Sequence, residues 1–368
     1  MKSGYYLFLA MTLFFSCREI VSGQKLYISP QGSDTNSGTA DKPLATLNAA
    51  ALRAREMRKE VVSDEPFEII VSGGEYFMMQ PLVLTMDDSG TPYSPLVFKS
   101  APDRRAIFRG GVPVTGFEKV TEKLWRTFIP QVAWYDSYFE QLYVNGRRAV
   151  RAKSPNDGFY RVKNVTETVI EKGIGRAPEI AVQKIELDSL NAECIRSFSE
   201  QDFEDALIIF YHNWDNSRKR ITGFSRESSS VFTAGEGMKP WNPINSKSRY
   251  LVENFKAGLD APGEWFLERS GYLYYIPLEN EKIENSTFYI PVIREFVSIQ
   301  GDPSSGKRVE NIRFENVVFE TAGYKTPVHG NEPAQAAAPV GAVITLDFAE
   351  NIEFRNCEIA HTGTCRKI

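Results

Sequence analysis

The chain has 368 residues, 42% hydrophobic and 24% charged, with a formal net charge of -4. That is ample material for a buried core, and the charge balance carries neither the basic footprint of a nucleic-acid partner nor the polybasic patch of a membrane-surface protein. With 16 Tyr and 24 Phe, the composition leans towards β structure, where flat side chains pack well on pleated surfaces.

The first residues read as an export address. Lys2 supplies a positive start, Tyr5–Phe15 is an apolar run too short to span a bilayer, and Val21-Ser22-Gly23 offers a small-residue cleavage site. Residues 1–23 are therefore expected to be a signal peptide, with the mature chain periplasmic, on the outer surface or secreted. Cys17 after Ser16 offers a lipid anchor as the alternative, disfavoured by the bulky Phe14 and Phe15. Once Cys17 is removed, Cys194, Cys357 and Cys365 remain, with no CxxC and no ligand spacing. No disulfide framework, metal or cofactor is expected. Cys357 aligns with Val317 of an earlier repeat, which predicts a small hydrophobe in a stacked core.

Residues 26–45 give a short strand and a Gly/Ser/Asp/Asn loop. A helix follows, with Leu47, Ala50, Ala51, Ala54, Met57 and Val61 at helical spacing, charges on the other face and Thr46 as N-cap. One amphipathic helix ahead of a long β-rich sequence predicts a cover for the open end of a β-stack. Short apolar strands then recur in FEIIVSGG, PLVLTM, PLVFKS and AIFRGG, between residues 67 and 111.

Between roughly 116 and 293 the strands lengthen and hairpin signals appear. Asn145-Gly146 joins β-rich arms in QLYVNGRRAVRA, ALIIFYHNW precedes RKRITGF, and GEWFLERSGYLYYIP suggests another pair. After it, VENIRFENVVFE (309–320) is repeated as AENIEFRNCEIA (349–360). A strand, loop, ENIxF strand, turn and strand make one unit of a solenoid, with Ile312, Phe314, Ile352 and Phe354 as successive inward layers. Asn311 with Asn351, and Asn316 with Asn356, fall at equivalent turns, where stacked amides satisfy neighbouring backbone groups.

The segments YISPQGSDTNSGTADKPLATLNAA, DSGTPYSPLVFKS, RGGVPVTGF, LYVNGRRAVRAKSPN, LDAPGEWFLERSGYLYYIP and NCEIAHTG together resemble exported bacterial β-helix glycosidases, and glycoside hydrolase family 141 best. The resemblance implies an all-β fold: a right-handed parallel β-helix of the pectin-lyase type, with an N-terminal capping helix and an inserted β-rich domain. It divides the chain into 24–115 (cap and first coils), 116–293 (insertion) and 294–368 (further coils). It also implies fucosidase- or xylanase-type hydrolysis of polysaccharide. Lys153 departs from the arginine such sequences tend to carry, and family members continue past HTG through more coils. Hydrolysis normally needs two carboxyl groups, about 5–5.5 Å apart for retention or about 6.5–9.5 Å for inversion. In the resembled family these lie in the later coils, so no catalytic residue is assigned. The expectation is a truncated, inactive N-terminal fragment that self-associates through an uncapped end.

Candidate substrate-binding residues are His361 and Glu358 on the last repeat, with His329, Glu332 and Gln335 in the loop 321–340. Extra loop between coils is where solenoids place binding residues. Trp134, Trp214 and Trp241 read as packing within the insertion rather than sugar platforms. Asp87-Asp88 is a poor calcium signal, because adjacent carboxylates on a strand point to opposite faces. The expected partner is a polysaccharide or oligosaccharide. The alternatives are a polysaccharide lyase, which would show outward Arg or Lys with clustered Asp that the readable coils lack, and a non-catalytic glycan-binding protein.

Overall fold

The computed structural model describes residues 24–60, 63–135, 137–333 and 341–363. The expected signal peptide with Cys17, and also Val61, Gln335 and Cys365, lie outside them. Among the described residues no helix is long and apolar enough to cross a membrane.

Three sheets of short parallel strands share one core. The first runs Lys25–Ile28, Phe67–Val71, Leu96–Ser100, Val309–Glu315, Ala349–Arg355. The second places Val297–Gln300 between Leu82–Thr85 and Ile344–Asp347. The third runs Gly74–Phe77, Ala106–Arg109, Val317–Ala322, Glu358–Thr362. The chain thus leaves this stack after Arg109 and returns to the neighbouring layer near Val297.

Strand alternation sends one side of each sheet inward, and parallel pairing in register lays like upon like. Leu26, Ile69, Phe98, Phe314 and Phe354 form one inward ladder. The Phe314 ring stacks on both Phe98 and Phe354, with centroids 4.9 Å apart and planes 8° from parallel. The repeat therefore stacks as the ENIxF spacing predicts. Ile312 and Phe314 are 1% and 0% exposed, whereas Ile352, Phe354 and Ile359 are only partly buried against the same core. Cys357 packs beside them, its sulfur 3.4 Å from the Phe314 carbonyl.

The corners are built from left-handed residues at matching places. Asn311 and Asn351 have φ of 56° and 54°, and Asn316 and Asn356 have 58° and 52°. Asparagine tolerates this region better than most side chains. Its amide also serves the stack: Asn351 donates to the Asn311 side-chain oxygen at 3.2 Å, and Asn311 to the Gly90 carbonyl at 3.3 Å.

The helix Leu47–Glu60 packs Leu47, Ala50, Ala51 and Ala54 into this core. Thr46 caps it by accepting from Ala49 N–H, and Asp34 holds Thr46 in turn. Arg55 clasps the buried Asp88 with two hydrogen bonds of 3.1 and 2.7 Å. Asp88 is thus the anchor of the covering helix.

Residues 111–291 form separate, almost wholly antiparallel sheets with two cores of their own. Gly111–Val114 pairs with Phe288–Pro291, so entry and exit lie side by side. The three expected hairpins form: Val144 pairs Arg147 across Asn145-Gly146, Leu207–Tyr211 pairs Asn216–Ser225, and Trp265–Leu267 pairs Leu273–Tyr275.

Phe314→Ala is expected to cost about 3–5 kcal/mol, the range for emptying a fully buried phenylalanine site. Phe354→Ala, with a ring neighbour on one side and partial exposure, should cost less than half as much. Urea denaturation of the two variants checks the order.

Candidate functional site

On the outer face of the third sheet, Phe77, Arg109, Glu320 and Ala360 stand in one cross-strand row. Arg109 pairs through one guanidinium nitrogen with Glu320 and through the other donates to Glu75 at 2.8 Å. The guanidinium lies 4.4 Å from the centre of the Tyr289 ring, contributed by the exit strand of the insertion. His361 Nδ1 sits 3.1 Å from the second Glu320 oxygen, with its ring 5.7 Å from that of Tyr143. Side-chain exposure rises from 11% at Glu320 and 14% at Arg109 to 32% at His361 and 42% at Glu75, so the row opens towards Glu75 and His361.

His361 reaches this row through a left-handed bend, not by the plain alternation expected from sequence. Both Thr321 (φ 66°) and His361 (φ 51°) are left-handed, at the same place in successive turns. For a β-branched, fully buried threonine this conformation is an outlier that surrounding structure must hold. It directly follows Glu320, and it turns the chain from the sheet into the segment that meets the insertion.

That meeting is a seam of buried polar contacts. Residues 139–144 are all buried. Gln141 accepts from Tyr324 N–H at 2.6 Å, Glu140 accepts from the Thr326 N–H and hydroxyl at 3.0 and 2.7 Å, and the Tyr143 hydroxyl donates to the Ala322 carbonyl at 3.4 Å. Behind them Arg151 lies 3.7 Å from both Glu140 and Glu253, and Glu253 also receives Arg218.

The remaining candidates scatter. Glu358 is exposed and paired with Arg105 at 3.0 Å, on the same sheet as His361. His329 is exposed. Glu332 is buried, with its carboxylate 3.4 Å from the fully buried Lys219. Its loop is strapped to the insertion, Asn331 and Arg218 exchanging backbone hydrogen bonds of 2.9 and 2.7 Å. Trp134 and Trp214 are 69% and 51% exposed, which corrects the expectation that they pack inside. Trp241 is partly buried under Arg176. Sequence reasoning missed Glu75, Arg109, Glu320 and Tyr289. The alternation in AIFRGG and VVFETA marks Arg109 and Glu320 as outward, but nothing local says that they meet. It also missed an outward arginine on this face, although Arg109 is tied to two carboxylates rather than free.

Burial works against the charge on Arg109, and its hydrogen bond to Glu75 with the field of Glu320 more than offsets this, so its pKa is raised. A carboxyl pushed up by burial does occur at Glu264, but it accepts from the Asp260 and Ala261 N–H groups within a turn of the insertion. Among the described residues no cluster of His, Cys, Asp and Glu could hold a metal ion.

Comparison with known proteins bears on this arrangement. Residues 122–278 match the model of the GH141 insertion domain. The insertion is similar to that domain. A solved "Glycoside hydrolase" superposes with a TM-score of 0.72 and 25% identity over 92% of this chain and 62% of that one. The chain therefore spans about three-fifths of that structure's length. A second structure, "The complex structure of XylC with xylose", aligns at 13% identity and a TM-score of 0.42, over 93% of this chain and 41% of that one. No curated protein matches. The matched domain and the first of these structures are both of glycoside hydrolases.

Two outcomes test the site's energetics. Arg109→Ala leaves the enclosed Glu320 with His361 as its remaining partner and should cost about 3 kcal/mol, whereas Glu75→Ala, at the open end, should cost at most about 1 kcal/mol; thermal melts rank the two. Burial pushes the Tyr143 phenol up to about 12, and burial also raises Tyr76, Tyr250 and Tyr275. The unfolded chain releases these protons at about pH 10, while the folded chain keeps them. Stability is thus full below pH 10 and falls as pH rises towards 12. Tyr143→Phe should make that alkaline fall shallower in denaturation measured at several pH values.

Proposed function

We propose that this is an exported carbohydrate-active protein of a glycoside hydrolase lineage, a right-handed parallel β-helix whose third sheet and insertion together form the wall of a glycan groove. The single observation that carries the reading is the glycoside-hydrolase likeness over 92% of the chain, with the GH141 insertion domain matched within it. The row Glu75, Arg109, Glu320, His361 and Tyr289 supplies what sugar recognition needs: charged acceptors and donors held rigidly beside an aromatic face. His361 and Glu358, both on the last described strand of this sheet, extend the same wall. The substrate class is polysaccharide of the fucoside- or xyloside-bearing kind.

The row is better suited to holding a glycan than to cleaving it. A general acid must present a free carboxyl to the leaving oxygen, and both carboxylates of the row are already engaged by Arg109. Catalytic carboxyls also need the scissile bond between them, whereas here a guanidinium bridges the two.

The test is calorimetric titration of the purified chain with fucose-, xylose- and pectin-derived oligosaccharides, alongside release of reducing ends. Binding without turnover is expected, with Glu320→Gln weakening it at least tenfold. Absence of binding to the whole set would overturn the glycan reading. Hydrolysis abolished by Glu75→Gln or Glu320→Gln would overturn the assignment of this row to binding alone.

A further inference from the structure

A second recess lies in the insertion, away from the row just described. It has a volume of about 240 Å³ and is lined by polar groups that include Asn213, Asn245, Ser248, Lys247 and Arg249. Its charges are one-sided. Arg249 stands directly opposite Arg161 on the adjoining antiparallel strand and opposite Tyr211 on the other side. Arg161 also reaches the Lys247 carbonyl, 3.5 Å away, which brings three cations to one rim. Like charges directly opposite each other across strands are destabilising. Among the described residues none of the three makes an ion pair. The nearby carboxylates are already engaged: Asp215 accepts from the Asn242 amide at 2.6 Å, and Glu253 is shared by Arg151 and Arg218.

The arginine is also held in place. Its guanidinium lies 4.7 Å from the centre of the exposed Phe159 ring, and that ring lies 4.6 Å from the ring of Tyr211. A flat guanidinium fixed on an aromatic face keeps its outer nitrogens free for a planar anion and loses little entropy on binding one. Amide and hydroxyl groups on the remaining wall match sugar hydroxyls, and Trp214, next to Asn213, stands exposed. The volume accommodates one ring rather than a chain.

We infer that this recess on the insertion is a binding site for an anionic sugar residue of a polysaccharide, with Arg249 as its chief anchor and Lys247 as its second charge. The inference takes its carbohydrate class from the reading above but uses none of the same residues, so the two can fail separately.

The experiment titrates the full chain with a galacturonic acid trisaccharide, with the neutral galactose trisaccharide of the same linkage, and with a sulfated galactose oligosaccharide. Preference for an acidic oligosaccharide over the neutral one is expected, with affinity falling at least tenfold in Arg249→Gln and by a smaller factor in Lys247→Gln. Binding of the galacturonate alone assigns the site to carboxylates, and binding of both acidic probes assigns it to sugar anions generally. Equal affinity for the neutral trisaccharide, or unchanged acidic binding in both cation variants, would overturn the proposal. The two substituted side chains are exposed, so a circular-dichroism melt matching the parent establishes that each variant is folded.

Discussion

Parallel register in the coil stack brings each residue over its counterpart one turn away, and the other features of this molecule follow from that constraint. It works only if successive turns bend at the same places, and the left-handed asparagines at 311, 351, 316 and 356 make the bends. With the corners aligned, Phe98, Phe314 and Phe354 fall into one stack and the core becomes a ladder of like on like. A single-residue slip would turn the phenylalanines outward and the charged residues inward. The same constraint acts on the outer face, where Arg109 falls beside Glu320 because both follow an inward phenylalanine.

The insertion is held to this frame by directional contacts rather than by a shared apolar core. Residues 139–144 are buried, yet their partners are backbone groups of Ala322, Tyr324 and Thr326. Buried polar groups are costly unless each finds a partner, so such a seam admits little sliding or rotation. That rigidity matters for the candidate site, because Tyr289 comes from the insertion and Arg109 from the coil. The strained Thr321 conformation sits at their junction, where a left-handed bend directs the chain from Glu320 into the seam.

Electrostatics separates the two polar regions. In the row on the third sheet Arg109 stands between Glu75 and Glu320, and His361 lies within hydrogen-bond reach of Glu320. On the rim of the insertion recess the cations gather without a counter-charge. The first arrangement is complete in the protein alone, so the glycan proposed for it would be recognised by shape and hydrogen bonding. The second would be completed by the anion proposed for it.

The sequence by itself determined the local elements, because each is governed by spacing of a few residues. The helix from Leu47 follows from its 3.6-residue period, the Asn145-Gly146 turn from the need for positive φ, and the inward layers of ENIxF from two-residue alternation. The sequence marks His361 as an outward residue of the last repeat, but not the left-handed bend that sets it beside Glu320. Only the tertiary structure decided which side chains share a site. Glu75, Arg109, Tyr289 and Glu320 come from four strands spread over most of the chain, and a local pattern carries no record of register between distant strands. The same holds for Glu332, whose polar loop reads as exposed until the fold lays it against Lys219. Periodicity states which way a side chain points; only the pairing of distant strands states what it points at.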